Sequence, residues 1–140
     1  MTAYENSSPP AENGRRGSVL IVEDEKHTRN TLCLVIENAG CTVAAASDGR
    51  EALGLLIKQR KAGRLPDLLI LDLEMAGLTG LELLDALAEE KIALPTIVIT
   101  GFADRRTLDN ALARGCEELL TKPFDPDTFT AALERVLGKK

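Results

Sequence analysis

Hydrophobic residues fall along this chain in two alternating periods. Val19-Leu20-Ile21-Val22 is a short, continuous, largely β-branched run that stops at Glu23-Asp24-Glu25, as expected of a strand buried on both faces. Leu32, Val35, Ile36 and Ala39 then recur on one face of a helix, which Gly40 ends. Cys41–Ala46 predicts a weaker strand, and Asp48-Gly49 a turn and cap for a helix with Leu53, Leu56 and Ile57 inward. The second half repeats the alternation. Leu68-Leu69-Ile70-Leu71 is a fully apolar strand stopped by Asp72, followed by a helix through Leu83, Leu84 and Leu87. Pro95 opens the strand Thr96–Thr100. Leu108, Ala111 and Leu112 mark the next helix face, with Gly115 as its stop. Glu118–Thr121 is a short last strand. Asp125-Pro126 is a cap followed by proline at the first helical position, starting a helix with Phe129, Ala132, Leu133 and Val136 inward.

Strands apolar on both faces, alternating strictly with helices, predict an α/β fold: a doubly wound (βα)5 parallel sheet with helices on each side. Right-handed crossovers place every strand C-terminus on one edge, where such sheets bind ligands. The repeating pattern occupies residues 18–140. Residues 1–17, rich in Ser, Pro, Asn and Gly and lacking an apolar period, predict a disordered tail.

Composition narrows the function only slightly. The net charge of −5 argues against nucleic acid or an anionic membrane as the default partner, because both reward clustered cations. No apolar run approaches the roughly 18 residues of a membrane span, and the N-terminus has no signal-like apolar segment. The three cysteines, Cys33, Cys41 and Cys116, form no CxxC pair and read as small buried residues in a reducing compartment. A cytoplasmic location is expected.

The residues able to do chemistry lie just past the strand ends. The first strand delivers Glu23 and Asp24, the third Asp72, the fourth Thr100 and the fifth Lys122. Gathered on one sheet edge, they form a cleft of three carboxylates, one hydroxyl and one ammonium. Two carboxylates about 5 Å apart repel by roughly 3 kcal/mol at an effective dielectric near 20, so such a cleft must take up protons or a cation. A donor set without His or Cys favours hydrated Mg²⁺ over Zn²⁺. Lys122 and Thr100 can then meet phosphoryl oxygens, and a carboxylate facing the metal can attack phosphorus itself. Taken singly, each residue has an ordinary reading. The acidic run could complement a helix dipole, Asp72 could cap a strand, and Lys122 could be a surface lysine. His27, near the acidic pair, reads as a solvated residue and is assigned no role.

From Ser18 to about Leu137 the chain resembles the response-regulator receiver domain. The matching segments are VLIVEDE (19–25), SDGREAL (47–53), LILDLEMAGLTG (69–80), PTIVITGFA (95–103) and LLTKPF (119–124), in order and at receiver-like separations. The resemblance implies a flavodoxin-like sheet of strand order 2-1-3-4-5, with Asp72 as phosphoacceptor. It further implies Glu23 and Asp24 as the acidic pair around Mg²⁺, with the Glu74 backbone carbonyl as a further ligand. Thr100 would be the switch hydroxyl, Lys122 its ion-pairing lysine, and Lys122-Pro123 a cis peptide. Glu74 and Phe102 would occupy the variable positions that tune phosphoryl lifetime. Two departures matter. Ala76 stands where the family often has Pro, and Leu119 replaces an aromatic whose ring commonly turns inward on activation, so the readout is expected from the backbone around residues 100–104.

The implied function is a signalling switch of a two-component or phosphorelay system, not a turnover enzyme. It would be phosphorylated from a histidine kinase, a phosphotransfer protein or a small phosphodonor, and would hydrolyse its own product. A single-domain regulator, monomer or weak dimer, would meet a downstream protein through the fourth helix, fifth strand and fifth helix. Two alternatives stay open: a receiver-like binding module independent of phosphorylation, and a small phosphohydrolase using Asp72-Leu73-Glu74 as nucleophile and acid.

Overall fold

Each apolar run becomes a strand and each stretch of helical period a helix. The computed structural model describes residues 17–101 and 104–138. Their order is β1 (Ser18–Val22), α1 (Lys26–Asn38), β2 (Thr42–Ala46), α2 (Gly49–Lys61), β3 (Leu68–Asp72), α3 (Gly80–Glu89), β4 (Thr96–Thr100), α4 (Arg105–Ala113), β5 (Glu118–Thr121) and α5 (Pro126–Leu137). All pairings are parallel, and the five-stranded sheet runs β2-β1-β3-β4-β5, as the receiver resemblance implies.

Strand parity divides the core in two. Val19, Ile21, Leu68, Ile70, Ile97 and Ile99 pack against α1 and α5, with Phe129 the largest fully buried side chain of that layer. Leu20, Val22, Leu69, Leu71 and Val98 face α2, α3 and α4. The sheet interior is apolar on both sides because both sides are covered.

Capping fixes where the helices begin. Asp48 accepts from Glu51 N at 2.8 Å, and Asp125 accepts from Thr128 N at 2.7 Å, with Pro126 in the first turn. Thr79 and Glu82 form a reciprocal capping box at α3, which satisfies two otherwise orphan amides. Gly40 and Gly115, the two expected helix stops, have φ of 94° and 87°.

Four details differ from the sequence reading. Asp72 is the last residue of β3, in register with Ile99, rather than the residue that stops it. Gly17, placed in the tail, accepts from Thr42 N at 3.0 Å and so belongs to the sheet margin; the remainder of the tail, residues 1–16, lies outside the described residues. On α2 the buried line is Gly49, Ala52 and Leu56, with Leu53 and Ile57 flanking it. On α4 only Ala111 is fully covered, and Leu112 is 51% exposed. The residue after a buried position lies 100° round the helix, and Leu34, next to fully buried Cys33, is equally exposed for the same reason.

Candidate functional site

Register brings the site together. Val22 is level with Leu71, Asp72 with Ile99, and Thr100 with Thr121. The residues just beyond these positions therefore share one edge of the sheet. There Glu23 is 1% exposed, Asp72 2% and Thr100 0%, while Asp24 opens to solvent.

Glu23, Asp24 and Asp72 each offer an oxygen within 4.8 Å of the others. Unit charges at that separation repel by about 3.5 kcal/mol at an effective dielectric of 20. Part of this is offset by Lys122, whose Nζ donates to Asp72 Oδ2 at 2.9 Å and to Glu23 Oε1 at 3.5 Å. Backbone amides also contribute. Glu25 N–H donates to Glu23 Oε2 at 3.0 Å, Glu74 N–H to Asp72 Oδ1 at 2.9 Å, and Ala76 N–H to Asp24 Oδ2 at 3.3 Å.

The remaining strain appears as proton affinity. Burial, with the hydrogen bond and charge of Asp72, raises the Glu23 carboxyl from 4.5 to about 7 against the opposing Glu25 amide and Lys122. Burial pulls Lys122 down, but its hydrogen bond to Asp72 and the charges of Asp72 and Glu23 win, leaving it raised. Three carboxylates and one ammonium carry a net charge of −2 when fully ionised, which one divalent cation neutralises. The donors are all oxygen, and Asp24 is open to solvent, so the set fits a hydrated hard ion such as Mg²⁺.

Thr100 and Glu74 are joined in a way that residue types alone do not reveal. The Thr100 hydroxyl donates to Glu74 Oε2, and Gly101 N–H donates to Glu74 Oε1 at 2.8 Å. The hydrolase alternative needs that carboxylate at Asp72, whereas here it is bound to the end of β4. Lys122-Pro123 is cis, as implied. Leu119 is partly buried against the α2–α3–α4 side of the core. Phe102 lies outside the described residues.

Sequence reading missed three supports. Arg29 Nη1, one turn into α1, donates to the Glu23 carbonyl at 3.0 Å and the Asp24 carbonyl at 3.5 Å, fastening the acidic loop. An arginine at that spacing has no distinctive signature. Gly80 starts α3 so close to β3 that a Cβ there would lie 2.7 Å from Asp72 O and Leu73 Cα. Its signal was available in the quoted LTG segment, as a glycine opening a helix just after the acidic loop. His27, given no role, lines a cleft with Thr28, Thr31, Pro123 and Phe124 that also reaches Lys122.

Comparison with known proteins gives this geometry a family. Residues 19–134 match the response regulator receiver domain. The DNA-binding transcriptional regulator NtrC of Salmonella typhimurium is 33% identical over 124 residues, which is 89% of this chain and 25% of that protein. This chain thus spans about a quarter of such a relative. An uncharacterized 14.6 kDa protein of Leptolyngbya boryana is 36% identical over 77% of this chain and 80% of its own length. Among solved structures, chemotaxis protein CheY4 of Vibrio cholerae superimposes with a TM-score of 0.74 at 32% identity, covering 85% of this chain and 97% of that one. The chain belongs to the response regulator receiver family and is a receiver domain of the two-component class. No helix among the described residues is long and apolar enough to cross a membrane.

Proposed function

We propose that this receiver is a phosphorylation switch whose acceptor is Asp72, within a receiver unit spanning residues 18–140. One observation carries the reading: three strand ends deliver Glu23, Asp72 and Lys122 to hydrogen-bonding distance, with both carboxylates buried. Such an arrangement costs free energy unless something uses it. An Asp72 oxygen attacks phosphorus. The P–N bond of a phosphohistidine, or the P–O bond of an acyl phosphate, breaks, and its electron pair leaves with the donor. Glu74 N–H and Lys122 orient the Asp72 carboxylate for this, and Lys122 then offsets charge on the phosphoryl oxygens. Glu23, Asp24, Asp72 and the Glu74 backbone carbonyl would hold Mg²⁺, which would supply neutralisation of the phosphoryl charge when bound. The Thr100 hydroxyl, fully buried at the end of β4, donates to the product.

The donor is a histidine kinase or phosphotransfer protein, for which the cleft between α1 and the loop after β5 offers a docking edge beside Lys122. The output partner is a protein that reads the α4–β5–α5 face. Exposed Leu112 on α4 supports that face, as does the Arg135–Glu118 ion pair that ties α5 to β5 at 2.9 Å. With Leu119 partly buried in place of an aromatic ring, the change passes through the backbone from Thr100 to Asp104, where Asp104 caps α4. A monomer or weak dimer in the cytoplasm suits three buried thiols.

Intact mass after incubation with acetyl phosphate and Mg²⁺ tests the acceptor. One phosphoryl adduct, lost at alkaline pH and absent from Asp72→Asn, is expected. A folded, Mg²⁺-supplied protein that takes no adduct would make the chain a phosphorylation-independent binding module.

A further inference from the structure

A hydroxyl has one hydrogen to give, and so does a backbone amide. At the end of β4 both are already committed to the same carboxylate. Thr100 Oγ1 donates to Glu74 Oε2, and Gly101 N–H donates to Glu74 Oε1 at 2.8 Å. Glu74 also donates its own N–H to Asp72 Oδ1 at 2.9 Å. One residue therefore fastens the acceptor through its backbone and the β4 end through its side chain.

A carboxylate with its two oxygens spread over a hydroxyl and an amide reproduces part of what a phosphoryl group asks of the same donors. We propose that Glu74 is a latch: in the unphosphorylated chain its carboxylate stands in for the phosphoryl group at Thr100 and Gly101, and phosphorylation must displace it. The inference rests on Asp72 being the phosphoacceptor.

Displacement follows from valence and charge. The Thr100 hydroxyl cannot donate to Glu74 and to a phosphoryl oxygen at once. A phosphoryl group on Asp72 also adds negative charge beside the Glu74 carboxylate, and like charges disfavour each other. Glu74 is exposed, so the released carboxylate moves into water at little solvation cost. Its departure unties Thr100 and Gly101 at the end of β4. Glu74 thus acts as a positioning residue that sets the threshold for switching. The competent population is reduced by the fraction of time the latch is closed. Two charge-assisted contacts that are partly exposed suggest a shift of about tenfold in that population.

The test compares wild type with Glu74→Ala and Glu74→Gln, each alone and with Thr100→Val. Two quantities are read: the Gly101 amide proton by NMR before phosphorylation, and the rate of adduct formation from acetyl phosphate and Mg²⁺ by mass. In Glu74→Ala the Gly101 proton should move upfield, having lost a charged acceptor, and the adduct should form about tenfold faster. Glu74→Gln should fall between, because its amide nitrogen cannot accept. With Thr100→Val the gain from Glu74→Ala should shrink, since one of the two latched groups is gone. A Gly101 proton that stays in place, with equal rates or with a gain indifferent to Thr100, would overturn the latch and leave phosphorylation intact. No adduct on any variant would overturn the reading of Asp72, and the latch with it.

Discussion

Glu23→Gln is the sharpest perturbation of the carboxylate cluster, because the Glu23 carboxyl is held at about 7 against an ordinary 4.5. A tenfold change in proton affinity is about 1.4 kcal/mol, so this rise corresponds to about 3 kcal/mol between the protonated and ionised folds. The sign comes from proton counting. Between 4.5 and about 7 the folded chain holds a proton on Glu23 that the unfolded chain has released, so stability falls as pH rises through this window and levels off above it. Glu25, held down at about 2 by its hydrogen bonds to Thr28 and His27, has the opposite slope. Its contribution is present above 4.5 and is lost as pH falls through about 2. The Glu25 and Glu23 windows do not overlap. Urea unfolding at a series of pH values with a chelator present should therefore show a decline of roughly 2–3 kcal/mol from pH 5 to pH 8. Glu23→Gln should remove that decline. Mg²⁺ should stabilise the wild type far more at pH 8 than at pH 5, because the proton and the cation compete for the same oxygens. A wild-type profile that is flat across this range, or a Gln variant that keeps the slope, would refute the account of the cluster.

The same geometry sets two further outcomes. Lys122→Met leaves two buried carboxylates without their cation, so it should cost roughly 2–4 kcal/mol in chelator, discounted from a fully buried pair because Lys122 keeps partial access to water. The same change should tighten Mg²⁺ binding, since a competing positive charge is gone; urea titrations with and without the ion read both. Gly80→Ala and Gly54→Ala should move stability in opposite directions. The first forces a Cβ to within 2.7 Å of backbone and should destabilise by roughly 1–3 kcal/mol while slowing adduct formation. The second meets nothing within 4 Å in the interior of α2 and should stabilise by about 1 kcal/mol.

The architecture was legible because its signal is physical and local. Strands covered on both faces must be apolar throughout, and Val19–Val22, Leu68–Leu71 and Thr96–Thr100 read that way without any partner being known. Caps were legible for the same reason: Asp48 and Asp125 satisfy amides within three residues of themselves. Helix faces were less so. Of the expected face Leu108, Ala111 and Leu112, α4 meets the core through Ala111, which is 0% exposed, while Leu112 is 51% exposed. A small side chain lets a helix approach closely, and hydrophobic size therefore misjudges the direction of burial.

The site residues were legible as types and the contacts among them only in part, for a reason visible in one stretch of chain. Past the end of β3 the strand's parity persists. Leu69, Leu71, Leu73 and Met75 all enter the core beneath α2, α3 and α4, while Leu68 and Ile70 belong to the opposite side. The alternation Leu68, Ile70, Asp72, Glu74 is therefore one row, apolar where helices cover it and acidic where the sheet edge opens. Glu74 shares that row with Asp72, which puts its carboxylate at the sheet edge where β4 also ends. Parity alone gives the row; it says nothing of the partner. That partner is set by the parallel register, which puts Asp72 level with Ile99 and hence Thr100 and Gly101 one and two steps beyond, where the Glu74 carboxylate meets both; an aspartate side chain is one methylene shorter. A Glu74→Asp variant should on this reasoning keep the charge and lose at least one of the two contacts, so the Gly101 amide proton should move upfield although the net charge is unchanged. An unmoved proton would mean that the loop, rather than the side-chain length, supplies the reach.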